Sequence, residues 1–381
     1  MTVPQPGSDP APSGPGLPRA TAVLLTLASV VVVAAGAAAA AWLVGPVFLA
    51  LVLVIMVHPL HGSLVRAGAP RWLATGLLVL AIYGVLLVLS AVVVYSVARL
   101  ATVLPSYAGE LNAVLTSATS LLARFGVGPD QLRELVAGLD YGRFVGIVTG
   151  LLRGLTGLAG NLVFLLSLLL FLGIEAAGAG PRLQAVATQR PHVAAALREF
   201  ASGTRRFLVV TTVVGAVTGA VDALVLGLLG IPLAVLWGVL VFITNYIPYI
   251  GFWIGLVPAA LLALLTGGWP SMLVVVGVFL VVNFVLTSVV QPKFVGDAVG
   301  LSVSVTLIGL VFWAWLLGPL GAVLAVPLTL LAKVLLVDAD PRAHWLDALL
   351  GSRAPGPVTD AVPDDAVPDE LPDPDPPAEE R

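Results

Sequence analysis

The chain has 381 residues, 59% of them hydrophobic and 10% charged, with a mean hydropathy of +1.06. A soluble domain carries about 25% charged residues, so this composition excludes an ordinary water-soluble domain and points to an integral membrane protein of several helices. The formal net charge of −3 hides an asymmetry: residues 352–381 hold nine acids against Arg353 and Arg381, which leaves 16 basic and 12 acidic residues, or +4, in the body. A mildly basic body suits a protein with arginine in its cytoplasmic loops. No basic face stands clear of the apolar runs, so nucleic acid is not an expected partner. The chain has no cysteine, which excludes disulfides, thiolate metal sites and cysteine nucleophiles.

Residues 1–18 are rich in proline and glycine, lack the positive n-region of a signal peptide and read as a disordered tail. Arg19 opens an apolar run over about 20–43, long enough to span a bilayer and read as a retained first helix. Gly45-Pro46 suggests a turn. A second run over 47–60 ends at His58-Pro59, a polar link follows over 61–71, and a third run fills 72–98. Residues 19–98 thus form an amino-terminal transmembrane region. Charged residues punctuate 99–153, and Leu132, Leu135, Val136 and Leu139 recur at helical spacing, so this segment reads as amphipathic helices on the membrane surface or against a neighbouring subunit.

A carboxy-terminal transmembrane region occupies 154–337. It begins with a run over 154–174 and a polar helix over 176–206, followed by an apolar run over 207–230. Residues 231–265 form a long apolar run broken at Tyr246-Ile247-Pro248-Tyr249-Ile250-Gly251. Proline removes a backbone donor and glycine weakens a helix. In hydrocarbon such a break survives only where protein or a water-lined cavity satisfies the backbone. A run at 271–290 and a polar link at 291–300 lead to a second broken run, 301–337, interrupted at Gly318-Pro319-Leu320-Gly321. Residues 338–381 form an acidic, proline-rich tail, expected to be disordered from about 352. The expected fold is all-α and polytopic, with about eight transmembrane or re-entrant elements, two of them broken hairpin-like runs. With both termini cytoplasmic, seven arginines in 61–71 and 176–206 lie inside, as the positive-inside bias expects.

Asp222 lies inside the 207–230 run. A carboxylate at bilayer depth is costly and usually faces a cavity or a partner. Thr211, Gly215, Thr218 or Gly219, and Asp222 share one small, polar helix face. Asp222 is therefore a candidate coupling or ion-binding carboxylate, with a structural hydrogen-bonding role as the alternative. Asn283, Thr287 and Gln291 stack at i, i+4, i+8 and suit either a solute path or interhelical hydrogen bonds. With Tyr246, Pro248, Gly251 and Pro292 they complete the solute-path candidates. Gly318, Pro319 and Gly321 are the residues of the second helix break. Gly154, Gly157 and Gly160 lack the ending and the strand of a phosphate loop and read as tight helix packing. His58 and His61 read as boundary residues. No metal site, cofactor or catalytic residue is expected, and none of the apolar runs carries a hydrolase motif.

Several pieces in order, namely Gly230-Ile231-Pro232-Leu233-Ala234, Tyr246 to Gly251, Gln291-Pro292-Lys293 with Gly296, Gly300-Leu301-Ser302, and Gly318-Pro319-Leu320-Gly321-Ala322 leading through Ala325-Val326-Pro327 to Lys333, make the chain resemble the autoinducer-2 exporter family of bacterial membrane proteins. Ser302-Val303-Ser304 departs from the proline-containing element of many members. The resemblance implies a multi-pass inner-membrane transporter of about eight helices that exports a small polar signalling molecule, and for some members sodium/proton antiport. The reading is thus an exporter of an autoinducer-2-like or related small polar solute, coupled to protons or sodium and assembled as a homo-oligomer. A sodium/proton antiporter and a non-transporting membrane scaffold are its rivals.

Overall fold

The computed structural model describes residues 19–107, 141–176, 178–286 and 301–338, together with isolated positions between 109 and 124 and residue 288. Every long element among them is helical. Helices α1 (Arg19–Ala39), α2 (Ala41–Arg66) and α3 (Arg71–Val103) come first, with a 3-10 turn at Leu104–Tyr107. Then follow α4 (Tyr141–Ala176), α5 (Ala179–Gln189), α6 (Pro191–Leu228), α7 (Ala234–Thr244) and α8 (Gly251–Val285). The end of the bundle is α9 (Val303–Leu317), α10 (Pro319–Val323) and α11 (Ala325–Lys333), running into a π turn at Val334–Asp338.

Among the described residues α2, α3, α6 and α8 are long and apolar enough to cross a membrane, and Gly160–Ala176 with Ala179–Gln189 makes a fifth span if that bent pair is counted as one. At 11 and 15 residues, α7 and α9 fall short of the roughly 20 residues that span a hydrocarbon core. They need the break partners that follow them. The helices expose apolar side chains outward, as on α3, where Leu77, Leu80, Val85 and Val88 are all exposed. In water such a surface would aggregate; in a bilayer it is solvated.

The apolar contacts gather in three clusters. Phe48 and Val52 of α2 pack with Phe200 and Leu208 of α6 and with Leu316, Leu324 and Leu328 of the final helices. A second cluster joins Leu226, Trp237, Val241, Leu256, Ala259, Val275 and Phe279, that is, α6 through α8. A third pairs Ala50 of α2 with Leu165 and Leu169 of α4.

Three local details differ from the sequence reading. The first turn falls at Ala40, and Gly45 and Pro46 lie buried in the first turns of α2. A Cβ on Gly45 would stand 3.3 Å from Leu320 Cδ1, so this glycine admits a neighbour rather than turning the chain. The second run does not end at Pro59: α2 continues to Arg66. Proline costs a hydrogen bond but leaves a packed membrane helix intact, and Ser63 Oγ donates to the Pro59 carbonyl at 3.1 Å. Finally, the polar helix over 176–206 is split at Arg190. Pro191 at the helix start, where its missing N–H is harmless, opens α6, which continues without interruption to Leu228.

Both breaks lie where proline and glycine placed them. After Thr244 the chain leaves the helix, Tyr249 takes a left-handed φ of 64°, and Gly251 restarts it. In the second run Gly318 takes φ 68° between α9 and α10. A further kink at Gly268, φ 70°, divides α8 in two, which separates its part from 271 to 285 from the run before it.

Candidate functional site

The site starts from close helix packing. Thr211, Gly215, Thr218, Gly219 and Asp222 are all buried on one face of α6. A Cβ on Gly219 would collide with the Gly238 carbonyl of α7, so the two backbones touch there. Two turns along, Asn245 Nδ2 donates to the Thr211 carbonyl at 3.0 Å and fixes the end of α7 against α6. Small residues thus do for this helix pair what they do in membranes generally, letting backbones approach.

Asp222 sits on that face at 1% exposure, and its Oδ1 has no hydrogen-bond partner in the protein. It borders a cavity of about 20 Å³ shared with Thr218, Thr244, Asn245 and Asn283 and walled by Val241, Phe252 and Phe279. That volume admits one water-sized occupant. The two hydroxyls beside it give their protons to backbone carbonyls. Thr218 Oγ1 gives its proton to the Val214 carbonyl at 2.8 Å, and Thr244 Oγ1 gives its proton to the Val241 carbonyl at 3.4 Å. One N–H of the Asn245 amide goes to the Thr211 carbonyl. The two threonines have only acceptor oxygen left to face Asp222, while Asn245 keeps one further N–H and the Asn283 amide also lines the cavity. No Lys or Arg lines the cavity. A buried anion without a counter-charge is unfavourable by several kcal/mol; a proton on the carboxyl, or a bare cation among the oxygens, removes that cost.

The other residues singled out in the sequence divide between this cavity and the breaks. Asn283 is in the cavity wall. Tyr246 is not; its hydroxyl meets Thr212 Oγ1 at 2.6 Å, and its ring stands edge-on to Phe242 with centroids 5.9 Å apart. Tyr246 also packs on the cluster containing Leu316 and Leu317, next to the second break. Pro248 is half-buried in the turn, where its carbonyl accepts from Ile250 N at 2.7 Å. Gly251 is buried, and a Cβ there would strike the Thr244 carbonyl. Gly318, Pro319 and Gly321 are outside the cavity: a Cβ on Gly321 would strike the Trp313 carbonyl, so this break folds α10 back on α9. Thr287, Gln291 and Pro292 lie outside the described residues.

Reading the sequence alone missed Thr244 and Asn245 as cavity residues, along with the aromatic walls Phe252 and Phe279. A signal was present, since Thr244-Asn245 is a polar pair at the end of an apolar run, immediately before the break. Among the described residues no group of three or more His, Asp or Glu side chains is arranged to hold a metal.

A bundle of bilayer-length helices, with short helices broken at proline and glycine, is the architecture of a polytopic membrane transporter. The chain belongs to the AI-2E transporter family, whose pattern matches residues 27–339. It is 30% identical over 316 residues to the AI-2 transport protein TqsA of Escherichia coli (strain K12), covering 82% of this chain and 91% of that protein. It is 31% identical over 340 residues to the putative transport protein YhhT of the same organism, covering 88% and 97%. A putative transport protein of Haemophilus influenzae is 30% identical over 334 residues, covering 86% and 95%.

Proposed function

We propose that this membrane transporter exports a small polar solute, of the autoinducer-2 type or a related metabolite, across the bacterial inner membrane and couples that movement to a proton or a monovalent cation at Asp222. The observation that carries the coupling is the cavity: a buried carboxylate oxygen without a partner and without a Lys or Arg in the lining, beside Thr218 and Thr244 hydroxyls whose protons go to backbone carbonyls. The solute class rests on the name of the relative TqsA.

The break beside the cavity supplies the moving part. The turn from Asn245 to Ile250 joins α7 to α8, and both helices contribute to the cavity wall. Binding or release of a cation changes the charge against α6 and so biases how α7 and α8 sit on it. Charge neutralisation is thereby linked to the opening of a solute path along the same break. Both termini are cytoplasmic in this proposal, and the copies associate through the amino-terminal helices and the 99–153 segment.

Sodium/proton antiport is the second reading, favoured by the size of the cavity, which suits one bare cation and nothing larger. The test is purified protein in liposomes with imposed pH or sodium gradients. Solute movement driven by either gradient, absent from empty liposomes, supports export. Sodium-dependent proton movement without added solute supports antiport. If neither occurs in correctly folded protein, the chain is a scaffold.

A further inference from the structure

A second feature lies between α3 and α4, in a groove of about 540 Å³ whose lining residues are all distinct from those of the Asp222 cavity. Its mouth is the start of α3, where Arg71 and Trp72 are exposed. Its far end is Tyr83, whose hydroxyl donates to the Leu166 carbonyl and ties α3 to α4. Twelve helical steps from Arg71 to Tyr83 cover about 18 Å, and half of a hydrocarbon core is about 15 Å. The groove therefore runs from one membrane interface to the middle of the bilayer, the depth of a single leaflet.

The walls between these ends are apolar and open to lipid: Leu80 is 67% exposed and Ile174 58%. Gly76 keeps the groove open, since a Cβ there would meet nothing within 4 Å. The mouth is different in character. Thr75 Oγ1 bonds the His61 ring at 3.1 Å and the Arg71 carbonyl at 3.0 Å, a polar shelf. Arg71 is the charged residue lining the groove, and it makes no ion pair among the described residues. The neighbouring Arg66 points its guanidinium to Ser63 Oγ at 3.1 Å and lines no part of the groove. Trp72, 76% exposed beside Arg71, is the residue type that settles at headgroup level.

We propose that this groove is a binding site for one anionic phospholipid, with an acyl chain along α3 as far as Tyr83 and the phosphate on the Arg71 guanidinium. Charge complementarity selects the occupant. An apolar slot one leaflet deep takes an acyl chain, and Arg71 at its mouth, which makes no ion pair among the described residues while the nearby Glu175 is paired with Arg182, takes a net negative headgroup. A zwitterionic lipid would bring its own ammonium group to Arg71.

The test uses the full-length protein extracted from vesicles of equal phosphatidylglycerol and phosphatidylethanolamine with matched chains, with retained lipids counted by native mass spectrometry. The wild type should retain one phosphatidylglycerol in preference to phosphatidylethanolamine. Arg71→Gln should keep a lipid but lose about fivefold in that preference, the worth of one arginine at a membrane surface. Gly76→Leu, whose Cβ enters open space, projects its side chain into the slot and should retain neither lipid, while Arg66→Gln should match the wild type. Wild-type lipid retention by Gly76→Leu overturns the site. Equal loss of preference in Arg66→Gln and Arg71→Gln overturns it too, because the charge effect is then diffuse. A dimer that Gly76→Leu converts to monomers would make a second copy of the chain the occupant and equally overturn it.

Discussion

A Cβ added to Gly219 on α6 would fall on the carbonyl oxygen of Gly238 on α7, and a Cβ added to Gly238 would fall on the carbonyl oxygen of Gly219. The two helices meet backbone to backbone at this point, three residues before Asp222. The contact sets how far α7, and with it Thr244 and Asn245, stands from the carboxylate.

Gly219→Ala therefore forces two backbones apart, with no flexible side chain to yield. The expected cost is about 1–3 kcal/mol, as for other overpacked sites, read as a lower unfolding midpoint in detergent and reduced transport. Gly227→Ala, on the same helix, meets Ala234 Cβ at an ordinary 3.9 Å and should leave both unchanged. Equal midpoints for Gly219→Ala and wild type would show that the backbones do not touch.

The two break residues Pro248 and Gly251 should behave differently. The Pro248 ring is only half-buried, whereas a Cβ on Gly251 meets the Thr244 carbonyl. Pro248→Ala should insert and fold normally yet transport poorly, since it restores a backbone donor and relaxes the turn. Gly251→Leu should lose folded protein as well, measured by monodisperse elution after extraction. Wild-type transport by Pro248→Ala would mean that the shape of the turn is incidental.

Thr212 Oγ1 donates to the Leu208 carbonyl at 2.6 Å, so the Tyr246 hydroxyl is the donor in its bond to Thr212. Tyr246→Phe removes one interhelical bond, worth about 0.6 kcal/mol on average within bilayers. A double-mutant cycle with Thr212→Val measures it. A coupling energy near zero would leave Tyr246 holding the break by its ring alone.

Thr218→Val and Thr244→Val keep side-chain shape but remove one acceptor oxygen each from the cavity. A hydrogen bond to a charged group is worth about 1.5–3 kcal/mol, so the concentration of coupling cation giving half-maximal transport should rise about tenfold or more. A structural role alone would lower stability and leave that concentration where it was.

Much of this was legible in the sequence because membranes make strict demands. Runs of apolar residues with few charges had no other use, and Pro248, Gly251, Gly318 and Pro319 punctuated them where a helix could not continue. Asp222 stood out because a carboxylate inside such a run needs a reason. Less was legible where tertiary packing overrides local signals. Pro46 and Pro59 looked like boundaries, but both are held within α2 by its neighbours. The small stripe on α6 gave the buried face but not its partner. Only the fold shows that α7 ends there, bringing Thr244 and Asn245 to Asp222 from more than 20 residues away. Hydroxyl hydrogens are assigned by such contacts, so the spending of the Thr218 and Thr244 protons on backbone carbonyls was not readable from residue order.

The most direct measurement is proton-linked transport by Asp222→Asn in liposomes, beside wild-type protein, across a series of imposed pH and sodium gradients. Asparagine keeps the shape of the side chain and removes its charge and its titration. The variant should be folded and inserted, with transport lost or no longer responsive to either gradient. Transport by Asp222→Asn with an unchanged dependence on pH and sodium would contradict the coupling role and leave Asp222 a structural residue of the α6 face.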